Sequence, residues 1–398
     1  MTAVAEHRIG PRRLLTLLSG RAAFRLLLYG SAGVLVAAWN QADFNTYAAA
    51  VGAAGWLAMV VQSGPEKAAL TLLPRARRTR AQLAGLLRGI VAYVPLPFTA
   101  VAVLALAFAP RSAVTVYLLA IAYYVGLGCG MLGVAVHRAL GGYTRDTVHF
   151  WLLGLGMIGM AGLAFTAGVA PAGYLAGLVA LVTALNLALV RGLPRGERPH
   201  PAARRLLAGT VTLMGAADVM ANAMVGTLFV ELALTSYAGQ SGDLYLMILG
   251  WGFVTSVIYT LQRFYQPRLA LLMASPDSGG GRAVARRVVE LAVWISALWL
   301  VAAGIVLAGG LAGTRSVLAL GLLLATLLPA NALASFGVFV LENSGRAGLR
   351  DSARAAVLAW AVVAALGALV IPLAGAAGAV YALGAQGLVL GLALRRRT

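Results

Sequence analysis

The sequence predicts an all-α polytopic membrane protein with about twelve transmembrane helices. Of its 398 residues, 61% are hydrophobic and 11% are charged, whereas soluble domains are typically about 45–50% apolar and about 25% charged. The mean hydropathy is +0.87. The apolar residues form long uninterrupted runs, which excludes a soluble globular protein, a disordered chain and an outer-membrane barrel, whose strands alternate polar and apolar residues.

Twelve apolar runs have about the length of 20 residues that a helix needs to cross a membrane. A basic segment leads into the first run without a cleavage motif, so we expect no cleavable signal peptide. Pro95 and Pro97 are expected to kink the third helix, and Gly64–Pro65 to break or kink the second. The predicted spans are 15–39, 44–63, 86–109, 113–135, 149–169, 173–191, 206–232, 243–265, 288–309, 317–340, 355–373 and 376–394.

The basic residues determine the predicted orientation. Of the 31 Lys and Arg residues, 28 are Arg on one side of the membrane, whereas the loops on the other side hold only Arg111 and Arg315. Because basic loops remain in the cytoplasm, both termini are predicted to be cytoplasmic. A Pro-rich gap at 191–205 separates six spans from six, which predicts lobes at 1–195 and 196–398. The net charge of +19 follows from these loops, so we expect no nucleic-acid partner.

Motifs for catalysis and for metal binding are missing from the sequence. It contains no phosphate-binding loop and no H-E-x-x-H motif, and its four His residues form no ligand cluster. The single Cys129 lies in an apolar run, which excludes a disulfide framework. We therefore expect no catalytic residues, no cofactor and no metal site. The sequence does not indicate how many copies of the chain associate.

Three segments resemble one known family. Residues 39–47 read Trp-Asn-Gln-Ala-Asp-Phe-Asn-Thr-Tyr, residues 63–70 read Ser-Gly-Pro-Glu-Lys-Ala-Ala-Leu, and residues 263–272 read Arg-Phe-Tyr-Gln-Pro-Arg-Leu-Ala-Leu-Leu. They resemble the turn before the second helix, the end of that helix and the end of the eighth helix in the polysaccharide-flippase branch of the MATE-like (MOP) exporter superfamily. Asn45 stands where that family usually has Gly.

The resemblance implies two six-helix bundles in a V, with helices one, two, seven and eight lining a central cavity. The implied cargo is an amphipathic lipid-linked sugar, such as a polyprenyl-diphosphate-linked glycan or a related envelope precursor. It would move from the inner to the outer leaflet of the bacterial cytoplasmic membrane by alternating access. An ion gradient or the membrane potential would drive it, so the implied partners are an anionic lipid-linked substrate, membrane lipids and a proton or sodium ion.

Basic residues inside the first two predicted spans are the first group of candidate site residues, because charges in lipid are costly and usually functional. Arg21 and Arg25 are one helical turn apart and share a face, and Lys67 is the only Lys of the chain. Guanidinium groups bind phosphate oxygens in pairs, so the three residues are predicted to bind the substrate. Alternatively, residues 11–25 form an interfacial basic helix and Lys67 reaches the surface from a helix end.

Glu66, Asp218 and Asn222 are the second group, predicted to bind a coupling ion or to form charge pairs. Asp218 and Asn222 are four residues apart in the seventh span and share a face. A carboxylate at this depth either binds a proton or sodium ion or pairs with an Arg, and Arg25 and Arg263 are both possible partners.

The eighth predicted span carries the third group. Thr255, Tyr259 and Gln262 follow helical spacing, and Arg263 lies on the adjacent face. This polar face is predicted to bind sugar hydroxyls. The alternative is a set of hydrogen bonds between helices of one lobe. The other acidic residues are expected at the membrane interface or paired with loop Arg side chains: Glu231, Glu290 and Glu342.

Three functions remain open at the level of sequence. A flippase for lipid-linked glycans requires basic residues around the cargo headgroup. A MATE-like exporter of a small molecule or natural product requires acidic residues around the cargo, and Glu66, Asp218 and Glu231 are candidates. A membrane scaffold subunit that transports nothing would have a closed, apolar centre.

Overall fold

The computed structural model describes residues 11–74, 76, 79–194, 200–253, 255, 279–308, 321, 324–342 and 346–395. Within these ranges the chain is helical with short connecting turns and contains no strand. Ten helical segments of this described part are long and apolar enough to cross a membrane. The predicted class, a polytopic helical membrane protein, is therefore confirmed.

The helices of the first half are α1 (Pro11–Ala38), α2 (Gln41–Ala54), α3 (Trp56–Leu72), α4 (Arg80–Tyr93), α5 (Pro95–Phe108), α6 (Ala113–Ala139), α7 (Tyr143–Ala167), α8 (Pro171–Arg191) and α9 (Pro201–Ala233). A 3-10 turn, Ala238–Gln240, precedes helical residues 241–253, termed α10. The helices that follow are α11 (Gly279–Ala308), α12 (Leu328–Glu342), α13 (Arg346–Ala374) and α14 (Ala376–Arg395). Two spans each combine two helices, α2 with α3 and α4 with α5.

Two predicted helix irregularities have different outcomes. The third predicted span is interrupted at Val94, directly before Pro95, which occupies the first position of α5. Proline suits that position because its missing N–H would be unpaired there anyway. In contrast, α3 continues through Gly64–Pro65, and the interruption of that span lies at Gly55. Transmembrane helices tolerate proline where local adjustments and neighbouring helices satisfy the freed carbonyl group.

The predicted eighth and tenth spans, 243–265 and 317–340, lie partly outside the described residues, so the count of twelve stays a prediction. The chain divides into two compact units. Unit 1 contains Met1–Asn40 and Pro65–Ala208, and unit 2 contains Gln41–Gly64 and Gly209–Thr398. The predicted lobes at 1–195 and 196–398 stay a prediction.

Helix α6 forms the centre of unit 1, where it contacts α4, α5, α7 and α8. Two of its glycines face α8: a Cβ on Gly126 would lie 2.9 Å from Val182 Cγ1, and one on Gly130 would lie 2.8 Å from Asn186 Oδ1. Asn186 Nδ2 also donates to the Gly126 carbonyl over 2.8 Å. Small residues at such contacts allow two helix backbones to approach closely, so this part of unit 1 is tightly packed.

In unit 2, α14 contacts α11, α12 and α13, and two amide side chains hold the turn that precedes α10. Asn45 Nδ2 donates to the Gly239 carbonyl over 2.6 Å, and Asn45 Oδ1 accepts from the Gly242 amide over 2.9 Å. Gln240 Oε1 accepts from the Ala376 amide over 2.8 Å. These bonds connect the start of α2, the α9–α10 turn and the start of α14.

Candidate functional site

Four charged side chains from four helices of unit 1 form a cluster, termed the charge network, in which the two carboxylates are buried and the two Arg side chains are partly exposed. Arg138 of α6 donates to Glu66 Oε1 of α3 over 2.8 Å, and its Nη1 lies 3.6 Å from Asp146 Oδ2 of α7. Arg21 of α1 lies 3.5 Å from the same Asp146 oxygen. Two guanidinium groups therefore balance two carboxylates, as charges that are removed from water require.

The sequence analysis missed Arg138 and Asp146 because it placed both in a loop. The predicted fourth and fifth spans ended at 135 and began at 149, whereas α6 continues to Ala139 and α7 begins at Tyr143. A signal was present: the two opposite charges flank a tight turn, and Asp146 lies in the first turn of α7, where the helix dipole stabilises a carboxylate. Asp146 is fully buried, at 0% exposure.

The predicted substrate-binding cations Arg21, Arg25 and Lys67 all lie in unit 1. The Arg21 side chain is 35% exposed, and its guanidinium carbon is 5.2 Å from the centroid of the Phe150 ring, a cation–π contact. Arg25 and Lys67 are half-buried. The structure thus brings Arg21 and Glu66 into one network, and the assignment of the three cations to a substrate stays a prediction.

Asp218 of α9 lies at a close helix contact within unit 2. Ser63 Oγ donates to its Oδ2, and a Cβ on Gly215 would lie 2.8 Å from the Gly64 backbone nitrogen. Asn222 Nδ2 donates to the Asp218 backbone carbonyl over 2.9 Å, so this amide bonds its own helix backbone. Asp218 is therefore a half-buried, hydrogen-bonded carboxylate within a membrane span.

Of the predicted polar face in the eighth span, only Thr255 is described. Its hydroxyl donates to the Trp251 carbonyl over 3.0 Å, one turn earlier in the same helix. This bond lies within one helix, so the predicted contact with a sugar stays a prediction. Tyr259, Gln262 and Arg263 lie outside the described residues.

No protein-family model and no curated protein matches the chain by sequence. Solved structures are nevertheless similar over nearly the whole chain. The lipid II flippase MurJ in an inward closed conformation has a TM-score of 0.63 at 10% identity, covering 96% of this chain and 86% of that one. A mutant of the Vibrio cholerae MATE transporter VcmN has a TM-score of 0.57 at 12% identity, covering 97% and 95%. The inward-facing structure of a multidrug resistance MATE transporter of the MOP superfamily has a TM-score of 0.55 at 11% identity, covering 94% and 91%.

The chain has the MATE-like fold. This confirms the fold that the family resemblance implied. The structures similar to this chain are membrane transporters and a flippase, and the likeness shows that the chain shares their multi-pass helical fold.

Two further acidic residues, Glu231 and Glu290, lie in unit 2. Glu290 Oε1 accepts from Arg286 Nε over 3.2 Å and lies 3.6 Å from Arg395 Nε, in keeping with the expected pairing with basic residues near the helix ends. Glu231 was expected at the interface. Its Oε2 is buried and has no hydrogen-bond partner within the described part of the chain, and its position at the membrane interface stays a prediction. A Cβ on Gly367 of α13 would overlap this carboxylate.

Proposed function

We propose that the protein is a flippase that moves an amphipathic lipid-linked sugar from the inner to the outer leaflet by alternating access. The cargo class is a polyprenyl-diphosphate-linked glycan or a related envelope precursor. The supporting observation is the fold, which the chain shares over 96% of its length with a lipid II flippase. The transporter neighbours also support a function in transport, and the proposal includes no catalytic step and no cofactor.

The charge distribution supports the placement of this flippase in its membrane. With 28 Arg residues on one side and two on the other, the proposed topology has twelve spans and both termini in the cytoplasm. The proposed lobes are 1–195 and 196–398. The proposed location is the bacterial cytoplasmic membrane, where lipid-linked envelope precursors are assembled on the inner leaflet.

The basic residues of the first two spans are proposed to bind the anionic headgroup. Arg21 and Arg25 lie one turn apart on α1, and Lys67 follows Glu66 on α3. Arginine suits this task because its planar group forms two parallel hydrogen bonds to phosphate oxygens. The polar face with Thr255, Tyr259, Gln262 and Arg263 is proposed to bind the sugar.

Native mass spectrometry of the protein, purified from its own membrane in mild detergent, tests this proposal. We expect an adduct with the mass of a polyprenyl phosphate or diphosphate, which is lost in Arg25→Ala and Lys67→Ala. Arg111→Ala is the matched control, because Arg111 is an exposed Arg in the loop between α5 and α6. The proposal fails if the unaltered protein carries no anionic lipid of this class, if the adduct persists in Arg25→Ala and Lys67→Ala, or if Arg111→Ala removes it as well.

Asp218 is proposed to couple transport to a proton or sodium gradient, supported by its half-buried carboxylate and its hydrogen bond from Ser63. In proteoliposomes, Asp218→Asn should abolish the response of transport to an imposed ion gradient, because the amide cannot take up a proton or neutralise a cation. Asp351→Asn is the control, since Asp351 lies near the start of α13 and pairs with Arg354 one turn away. Unchanged ion-driven transport in Asp218→Asn would refute the coupling role.

A MATE-like exporter of a small molecule is the second candidate. The observation that favours it is the Asp218 carboxylate within a membrane span, because acidic groups attract cationic compounds. Binding of small cationic compounds in place of an anionic lipid, measured on the same purified protein, would support the exporter. The basic residues of spans one and two would then serve as structural partners of carboxylates.

A further inference from the structure

The charge network is asymmetric, and the asymmetry lies at Asp146. Both of its ionic contacts reach one oxygen, Oδ2, at 3.5 Å from Arg21 and 3.6 Å from Arg138. Its other oxygen, Oδ1, is buried without a hydrogen-bond partner in the described structure. A well-formed ion pair between Arg and a carboxylate uses both oxygens at about 2.7–2.9 Å. Asp146 is thus held by two long contacts, although it is fully buried.

The other three members of the charge network differ in how firmly they are held. Arg138 is 19% exposed and forms the short 2.8 Å bond to Glu66. Arg21 is the most exposed member, at 35%, and its one ionic contact within the network is the long one to Asp146. If Arg21 moved away, Asp146 would keep Arg138, and Arg138 would keep Glu66. The network is therefore arranged so that Arg21 can leave while the other three charges remain paired.

We propose that Asp146 is an internal competitor for the anionic headgroup: it neutralises Arg21 in the empty protein and releases Arg21 only to a strongly anionic ligand. This inference rests on the proposed function, since it assigns specificity to the same headgroup site. A diphosphate carries more negative charge and more acceptor oxygens than one carboxylate, so it displaces Asp146 from Arg21. A phosphodiester headgroup with a single charge, such as that of phosphatidylglycerol, does not.

This arrangement is a device for specificity. Discrimination between two ligands depends on the difference of their affinities, and a repulsive group that excludes the wrong ligand is one way to obtain it. Membrane phospholipids greatly outnumber any lipid-linked precursor. A site with free Arg side chains would therefore be filled by phosphatidylglycerol. A buried carboxylate beside Arg21 lowers the affinity for both lipids and leaves only the more strongly charged one able to bind.

The test compares binding of two probes to the full-length protein in nanodiscs: a polyprenyl diphosphate, and phosphatidylglycerol against a background of neutral lipid. Asp146→Asn should bind the diphosphate about five- to tenfold more tightly, and its preference for the diphosphate over phosphatidylglycerol should fall. Glu290→Gln is the matched control. It neutralises a carboxylate that pairs with Arg286 and Arg395 in unit 2 and leaves the charge network unchanged, so neither affinity should rise.

The gain in diphosphate affinity that Asp146→Asn is expected to bring must depend on Arg21. In an Arg21→Gln background, Asp146→Asn should no longer change either affinity, whereas Asp146→Glu in the otherwise unchanged protein keeps the charge and should not raise binding. Asp146→Ser is the second neutral variant if Asp146→Asn is not recovered folded, and the same gain is expected. Tighter binding that persists without Arg21, or unchanged or weaker binding in the neutral variants, overturns the proposal.

The two proposals fail in different ways. If neither the natural sequence nor any variant binds a polyprenyl diphosphate, the flippase assignment and the competitor role both fail. If the natural sequence binds the diphosphate and loses it on Arg25→Ala, but Asp146→Asn brings no gain, the flippase assignment stands and the competitor role alone is refuted.

Discussion

Removal of the Arg138 side chain should destabilise the protein more than removal of any exposed Arg. In Arg138→Met the chain keeps a long apolar side chain at this position, so packing changes little. Glu66 and Asp146 lose the guanidinium they share, and Asp146 retains only its long contact with Arg21. The fully buried Asp146 carboxylate is then poorly compensated within the packed helices of unit 1.

The expected magnitude follows from burial. Breaking a buried ion pair by removing one partner costs about 3–5 kcal/mol, because the remaining charge stays desolvated. Arg138 is 19% exposed, and the carboxylates it contacts are 11% and 0% exposed. The matched control is Arg286→Met, whose side chain is 59% exposed and pairs with Glu290 one turn away. Such exposed pairs contribute below about 1 kcal/mol, and Glu290 retains Arg395.

The free energy of unfolding can be measured by equilibrium titration of the purified protein in mixed micelles with increasing dodecyl sulfate, followed by tryptophan fluorescence and circular dichroism. The double variant Arg138→Met with Glu66→Gln supplies a further check. Its loss should be smaller than the sum of the two single losses, because the residues are in direct contact. If Arg138→Met costs no more than Arg286→Met, the charge network does not hold the helices of unit 1 together.

Three further outcomes follow from the packing. Gly64→Ala places a Cβ against the carbonyl oxygen of Val211 and should lower the free energy of unfolding by about 1–3 kcal/mol. Gly89→Ala, with open space at its Cβ, should not lower it. Equal effects of the two substitutions would contradict the close contact at Gly64. Asn45→Ala removes the hydrogen bonds at the turn before α10 and should cost about 1–3 kcal/mol, read from the same titration; no loss would mean that solvent replaces them. Cys129 is 0% exposed and should react with a membrane-permeant maleimide, detected by mass spectrometry, only after denaturation; rapid labelling of the native protein would contradict the packing around α6.

Hydropathy predicted the class of the protein because lipid permits few alternatives. A spanning segment must satisfy its own backbone hydrogen bonds, and a helix does so within one continuous run of residues. The apolar runs were therefore visible without any knowledge of contacts. The helix ends were less predictable: the sequence placed Arg138 and Asp146 in a loop, because a charge within a helix is acceptable only when another helix supplies its partner.

In the candidate site, too, the sequence predicted some features and only the structure revealed others. Arg21, Glu66 and Asp218 were recognised as charges within spans, since each is costly in lipid wherever its partner lies. Their partners were not: Asp146 pairs with Arg21, Arg138 with Glu66, and a hydroxyl group with Asp218. Each of these pairs joins residues at least 72 positions apart along the chain, so no local spacing rule could relate them.

The sequence by itself determined that this is a helical membrane protein, which side of the membrane its basic loops are expected to face, and which residues carry charge into the spans. These properties follow from composition and from runs of about 20 residues. Only the tertiary structure decided which charges neutralise each other and which side chain remains loosely held. Pairing depends on helices that are distant in sequence and adjacent in space, and the energy of a buried charge is set by those neighbours.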